Sequence, residues 1–315
     1  MFIKFLIRRI VYVLPMMLIT TFIVFSFILL IPGDPALAIL GENATEENLQ
    51  MLREQLGLNQ PVLIQYFTWL ADVFRGDLGE SLFTGQAVEE AVFSRLGVTF
   101  QLVTTSILIA IIAGTILAIL SVLKPKSWID QFSRFISTLG AAIPNFWLAM
   151  LLLAAFSLAL GWFPATGFIS ITEDPIGFLR SVLLPAIALG AVGMAQITRH
   201  LRSALIEVLE ADYIRTAYSK GLNVRQTIIN HSLRNALLPV VTTIGILYGN
   251  LIGATVVIES IFAIPGMGQL AVDSILQRDF PMLQGVVLVM IVIIIIINFA
   301  TDIIYSLLDP RIEYD

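Results

Sequence analysis

The sequence predicts an all-α polytopic membrane protein, and three observations carry that expectation. Apolar residues make up 57% of the 315-residue chain and charged residues only 13%, about half the charged share of a soluble domain. The apolar residues come in runs of roughly 20, the length that spans hydrocarbon as a helix. Lys and Arg are unevenly shared among the segments that join those runs.

Six segments qualify as spans, at about 10–31, 98–123, 135–160, 182–199, 236–258 and 282–307. The fourth is the shortest and carries Pro185, so it is the weakest on length. The last contains "IVIIIII" from Ile291 to Ile297, an unbroken apolar run unlike any half-exposed soluble helix. Pro15, Pro144, Pro185 and Pro239 lie in or beside spans, where neighbouring helices or hydroxyls can satisfy the carbonyls they free. The opening "MFIKFLIRRI" and the later "ALA" (36–38) invite a signal-peptide reading. Its apolar run is about twice a usual 7–15-residue signal core, so an uncleaved first helix is expected.

With the N-terminus inside, segments 1–9, 124–134, 199–235 and 308–315 hold 13 of the 18 basic residues. That bias is the positive-inside signature, and it places both termini in the cytoplasm. Between spans one and two lies an acidic insert, 32–97. Within "TEENLQMLREQLG", Thr45 and Asn48 have capping spacing, and Leu49, Leu52 and Leu56 recur on one helical face. The insert reads as a small helical extracytoplasmic subdomain, or as a surface loop with a packing role alone.

Much chemistry is excluded. Cysteine is absent, which removes disulfides, thiolate metal sites and cysteine nucleophiles. No phosphate-cradling G-x-x-x-x-G-K-[ST] and no H-E-x-x-H occur. His200 and His231, the two histidines, lie too far apart to suggest zinc. The matching of "SVLK" (121–124) to S-x-x-K is a coincidence at a helix end. Neither a catalytic residue nor a metal ligand is therefore expected, and the net charge of -5 gives no sign of nucleic-acid binding. Asp302 and Glu259 are acids near span ends, where helix packing or water contact is the simpler role.

The segment from Asp212 to Gln226, "DYIRTAYSKGLNVRQ", is polar between two greasy stretches. Leu201, Leu205, Val208 and Leu209 extend a helical stripe beyond span four. Asp212 can cap a helix from Tyr213 to Lys220, and Gly221 can end it in the left-handed conformation. Asn223 and Gln226 have capping-box spacing for the next helix. Ile214, Ala217, Tyr218 and Leu222 form one contact face, ringed by Arg215, Lys220 and Arg225. The element therefore predicts a docking helix for a cytoplasmic partner. A helix-turn-helix DNA reader would find no room between two membrane anchors.

The stretch "YIRTAYSKGLNVRQTIINHSLRNALLPVVT" (213–242) resembles the coupling segment of binding-protein-dependent ABC importer permeases. The similarity is to the B-type subunit of the dipeptide/oligopeptide/nickel branch. Gly221 matches the signature glycine, while Arg215-Thr216-Ala217 replaces E-A-A, a departure typical of that branch. "RRI" (8–10), "IPGDPA" (31–36), "LGLNQP" (56–61), "GDLGES" (76–81), "ESIFAIPGMGQL" (259–270), "RDFPMLQG" (278–285) and "DPRI" (309–312) agree in order and spacing.

The resemblance implies a type I ABC importer fold with six membrane helices and the helical insert between helices 1 and 2. The implied organisation is 1–31 for the N-terminus and first helix, 32–97 for the insert, 98–308 for the permease core and 309–315 for the tail. The coupling segment, 199–235, lies within the core. The implied partners are a second homologous permease subunit, two ATPase subunits that bind ATP and Mg, an extracytoplasmic solute-binding protein and membrane lipid. No cofactor is implied in this chain, which would reside in a bacterial or archaeal cytoplasmic membrane. Arg215, Ala217, Tyr218, Gly221 and Leu222 are the implied ATPase contact. Glu259, Pro265, Gly266 and Gly268 are assigned to the gate or binding-protein side. Asn145, Asn250 and Asn298 are candidates for the pore lining, or equally for interhelical glue. The expected cargo is a di- or oligopeptide, with a nickel complex, glutathione, an opine or an oligosaccharide as alternatives. A stand-alone secondary transporter is the competing class; it would want inverted repeats and a midplane ion site, and neither is evident.

Overall fold

The computed structural model describes residues 2–29, 35–41, 44–55 and 57–308. The chain runs through α1 (Phe2–Leu29), α2 (Pro35–Leu40), α3 (Glu46–Gln55), α4 (Val62–Phe74) and α5 (Val88–Leu123). It continues through α6 (Trp128–Ala142), α7 (Asn145–Leu152, prolonged by π turns over Leu153–Ala159) and α8 (Pro175–Leu209). The rest comprises α9 (Asp212–Ser219), α10 (Val224–Thr227), a π turn over Ile228–Ser232, α11 (Leu233–Ala236), α12 (Leu238–Phe262), α13 (Met267–Gln277) and α14 (Phe280–Leu308). Glu80 and Ala87 make an isolated antiparallel bridge.

Among the described residues, α5, α8, Val240–Phe262 and Phe280–Thr301 are each long and apolar enough to cross a bilayer. They correspond to the second, fourth, fifth and sixth expected spans. The first expected span falls on the 28-residue α1, which carries Pro15 inside it.

The third expected span, 135–160, is corrected: it is not one straight helix. α6 and the α7 segment are bent by 107°. Ile143 is extended, with φ -84° and ψ 124°, because the residue before a proline is pushed out of the helical region. Pro144, which has no N–H to donate, then precedes the first residue of α7.

Two compact units make up the chain. One contains 1–98 and 265–295. Its core gathers Val88, Val92, Met267, Phe280, Leu283 and Val286. In it, Asp279 is 4% exposed and accepts from the Ser81 hydroxyl at 2.5 Å and from the Met282 amide at 3.4 Å. The carboxylate thereby caps α14 and fastens the turn before α5 to it. The expected capping by Thr45 is present, its hydroxyl accepting from the Asn48 amide at 3.3 Å. Leu49 is buried on the predicted face, while Leu56 lies outside the described residues.

The other unit contains 99–264 and 296–315, and α8 is its centre. Two-thirds of the apolar window of α8 is buried (67%), against 33–39% for the other three spanning helices. The sequence predicts the shortest span here, yet α8 has 35 residues, started by Asp174 capping and Pro175 in the first turn. Buried small residues, among them Ala186, Gly190, Ala191, Gly193 and Ala195, line it. They permit close helix approach where lipid offers no hydrophobic drive for association. A Cβ on Gly190 would stand 2.6 Å from the Ser106 carbonyl oxygen of α5. Hydroxyls add cross-links, Ser137 to the Ala195 carbonyl at 3.0 Å and Thr104 with the Tyr248 hydroxyl at 2.8 Å.

Gly190→Val is expected to destabilise the protein by about 1–3 kcal/mol through overpacking against backbone. Gly253→Ala, whose added Cβ meets nothing within 4 Å, is the matched control. Thermal unfolding in detergent reads the difference, and equal midpoints would refute the close-packed seam.

Candidate functional site

The site at 199–235 is built outward from α8. Leu201 and Leu205 are wholly buried and Val208 and Leu209 partly so, packed with Ile228, Ala236 and Val240. The inward stripe read from the sequence is therefore present. It continues the spanning helix as a rigid rod to Leu209.

After Glu210 and Ala211 the chain turns into α9, whose first bond joins the Ile214 amide to the Ala211 carbonyl at 3.0 Å. Asp212 does not stand outside the helix as expected; it is its first residue, and its carboxylate lies 3.5 Å from Arg215. Ile214 is completely buried within the chain, which corrects its assignment to the partner-facing side. A helix this polar needs one apolar anchor to stay folded on its support, and Ile214 provides it. Among the described side chains of α9, Asp212, Arg215, Thr216 and Ser219, at i, i+3, i+4 and i+7, are exposed, as is Tyr213. Arg215 has 78% of its side chain exposed and its ion-pair partner Asp212 96%. The side chains of Ala217, Tyr218 and Arg225 lie outside the described residues.

Gly221 has φ +86°, and an added Cβ there would meet nothing within 4 Å. Its requirement is thus for backbone hand, not for space. Leu222 is half-buried. The capping box closes as predicted: the Gln226 amide donates to Asn223 Oδ1 at 2.9 Å, and the Asn223 amide donates to Gln226 Oε1 at 3.1 Å.

A polar node that sequence reasoning missed lies among α5, α6 and α8. Asp130, 2% exposed, accepts from the Ser121 hydroxyl, from the Lys126 amide at 3.1 Å and from Arg202 Nη2 at 3.3 Å. Arg134 also stands 3.3 Å from it, and Arg202 Nε donates to Ser121 at 2.7 Å. Lys126 takes φ +61° to present its amide. The available signal was a lone acid inside a basic interhelical segment. Ten residues above α9, Arg202 thus ties the rod to its neighbours.

The remaining predicted residues fall in several places. Glu259 is fully buried in the last turn of α12 and accepts from Thr99 at 2.6 Å. Pro265 is half-buried, and Gly266 and Gly268 are buried at the start of α13, in the unit that also holds 1–98. Asn250 and Asn298 are exposed, whereas Asn145 opens α7 half-buried. Asp302 and His231 have side chains outside the described residues, and His200 Nδ1 pairs with Thr243 at 2.8 Å.

Asp130→Ala is expected to cost about 3 kcal/mol, near the lower end for breaking a buried charge pair, because Arg202 keeps some water contact. A thermal-unfolding double-mutant cycle with Arg202→Gln checks it. Strict additivity of the two changes would show that the pair does not couple.

Residues 106–314 match the family model described as "Binding-protein-dependent transport system inner membrane component". Residues 2–104 match the model for the N-terminal part of such membrane components. A provisionally named peptide transport system permease protein of Brucella suis biovar 1 is 40% identical over 98% of this chain and 99% of its own. The dipeptide transport system permease protein of Alkalihalophilus pseudofirmus is 39% identical over 98% of each chain. The glutathione transport system permease protein of Salmonella paratyphi A is 36% identical over 99% of each. Among solved structures, an inward-facing MetNI methionine ABC transporter superposes with a TM-score of 0.54 at 18% identity, covering 70% of this chain and 96% of that one.

Proposed function

Because the chain belongs to the family of binding-protein-dependent transport system inner membrane components, we propose that it forms half of the pore of an ATP-driven importer for short peptides. The observation that carries this reading is α9. It is a short polar helix held by the buried Ile214, presented at the end of a 35-residue helix that crosses the core of its unit. A partner that grips Arg215, Thr216 and Ser219, with Ala217, Tyr218, Gly221 and Leu222 beside them, moves α8 directly.

In this reading two cytoplasmic ATPase subunits bind ATP and Mg, one against each of two homologous permease subunits. Their closure on ATP rotates α9, and the rod carries that displacement into the membrane. Hydrolysis resets it. A solute-binding protein supplies cargo on the opposite side, where Glu259, Pro265, Gly266 and Gly268 serve the gate. Both termini lie in the cytoplasm, in keeping with the excess of Lys and Arg on that side. Exposed Asn250 and Asn298 face the polar path. The permease performs no bond chemistry; nucleotide energy biases two arrangements of one pore. Dipeptides and oligopeptides are the proposed cargo, supported by the names of the relatives. Glutathione, itself a short peptide, is the second reading, supported by the 36% identical Salmonella relative.

Purification of the tagged chain from its host in mild detergent is expected to recover two ATPase subunits and a second permease. A stable chain that comes down alone would overturn the assignment. Gly221→Val is expected to abolish ATP-dependent uptake, because a β-branched residue is poorly tolerated at φ +86°. Gly221→Asn, which accepts that conformation, should keep most uptake at equal membrane abundance. Wild-type uptake by the valine variant would contradict the coupling role.

A further inference from the structure

The insert between α1 and α5 contains one helix whose exposed face is greasy. Leu63, Ile64, Phe67 and Phe74 of α4 are 57%, 51%, 60% and 81% exposed, and with Ala71 they follow helical spacing. A shallow open groove runs along this face. Charge is confined to its C-terminal end, where Asp72 and Arg75 pair at 3.1 Å.

The opposite face is fixed to α1. Tyr66 is 3% exposed, donates to the Leu18 carbonyl at 3.0 Å and lies 2.9 Å from the Thr21 hydroxyl. Its ring meets Phe22 and Phe25 with centroids 5.2 and 5.7 Å away, and Trp69 meets Phe25 at 5.5 Å. Leu18 stands 11 residues before the end of α1, roughly 16 Å along the helix. Phe22 and Phe25 stand about 6–10 Å before that end. The α1 side chains around this contact, Leu18, Ile19 and Ile23, are themselves exposed aliphatics at 45%, 61% and 45%.

We propose that α4 is an interfacial membrane helix, held by Tyr66 about one to three turns inside the end of α1, with its Leu63–Ile64–Phe67–Phe74 face among lipid acyl chains. The ring contacts with Phe22 and Phe25 lie at the roughly 5–10 Å to which such helices sink below the headgroups, and the Tyr66 hydroxyl reaches deeper, to Thr21 and Leu18. A water-facing helix would not carry five apolar residues on its free side with ions only at one end. The insert is therefore not wholly extracytoplasmic. It has a polar part in α3 and a lipid-anchored part in α4, continuous with the exposed face of α1.

The chain has no native cysteine, so single cysteines can be spin-labelled in the full-length protein reconstituted into phosphatidylethanolamine/phosphatidylglycerol vesicles. Ile64→Cys and Phe67→Cys are compared with Gln50→Cys on the exposed polar face of α3 and with Ile19→Cys on α1. The oxygen-to-nickel-chelate accessibility ratio at positions 64 and 67 is expected to exceed that at position 50 by about threefold or more, as for a lipid-facing label at this depth. High nickel-chelate collision at 64 and 67 would place them in water and overturn the proposal. Low collision with both reagents would mean a protein partner covers the face, and would equally overturn it. The inference rests on α1 being a membrane helix; a water-like label at position 19 would mark failure of that premise, and a lipid-like one isolates the test to α4.

Discussion

Inside hydrocarbon, apolar side chains gain nothing by leaving lipid for protein, so helix association depends on how closely backbones approach. In this chain that approach is concentrated on α8. Gly190 lies against the Ser106 carbonyl, and Gly140 of α6 lies against the Ala191 carbonyl, at distances no side chain would allow. Hydroxyls of Ser137 and Thr198 then bond across the same seams. A helix packed this way on several sides cannot bend independently of its neighbours. The rest of the second unit, including the end of α8 at Leu209, inherits its position from that seam.

In the coupling role proposed for α9, that rigidity is what would transmit a push. A docking helix on a loose loop would absorb a push in its own flexing. Here Ile214 pins α9 to the chain, Gly221 and the Asn223–Gln226 box define its exit, and the Asp130–Arg202 node ties the emerging rod to α5 and α6. Each device fixes one degree of freedom. Under the proposed function, they leave the outward polar stripe as the place where a partner's force would enter.

Features set by neighbours in sequence were legible, and those set by distant partners were not. The Gly221 turn, the Asn223–Gln226 box and the Leu201–Leu205 stripe each depend on residues within a few positions. Their chemistry is complete in a short quotation of the chain. The true length of α8 escaped because its ends are polar enough to fail a hydropathy reading yet are held by tertiary contacts. The break at Ile143-Pro144 had a local signal, but prolines are so often tolerated within membrane helices that the residue alone could not decide. Burial of Ile214, the partners of Asp130 and the anchoring of Tyr66 on α1 needed three-dimensional contacts. The exposed period of Asp212, Arg215, Thr216 and Ser219 was readable, but the apolar Ile214 was grouped with the contact face although it turns into the chain.

The hydrogen bond from Ser81 to Asp279 spans 198 residues, and this has a consequence for how the protein is made. The core that Val88 and Val92 share with Phe280, Leu283 and Val286 cannot assemble until the ribosome has passed that distance. At about 5–20 residues per second, the wait is roughly 10–40 seconds. During it, Val88 and Val92 are made but lack the partners that will bury them. Biogenesis of this chain is thus a matter of sheltering an unfinished half until its closing strand of sequence arrives.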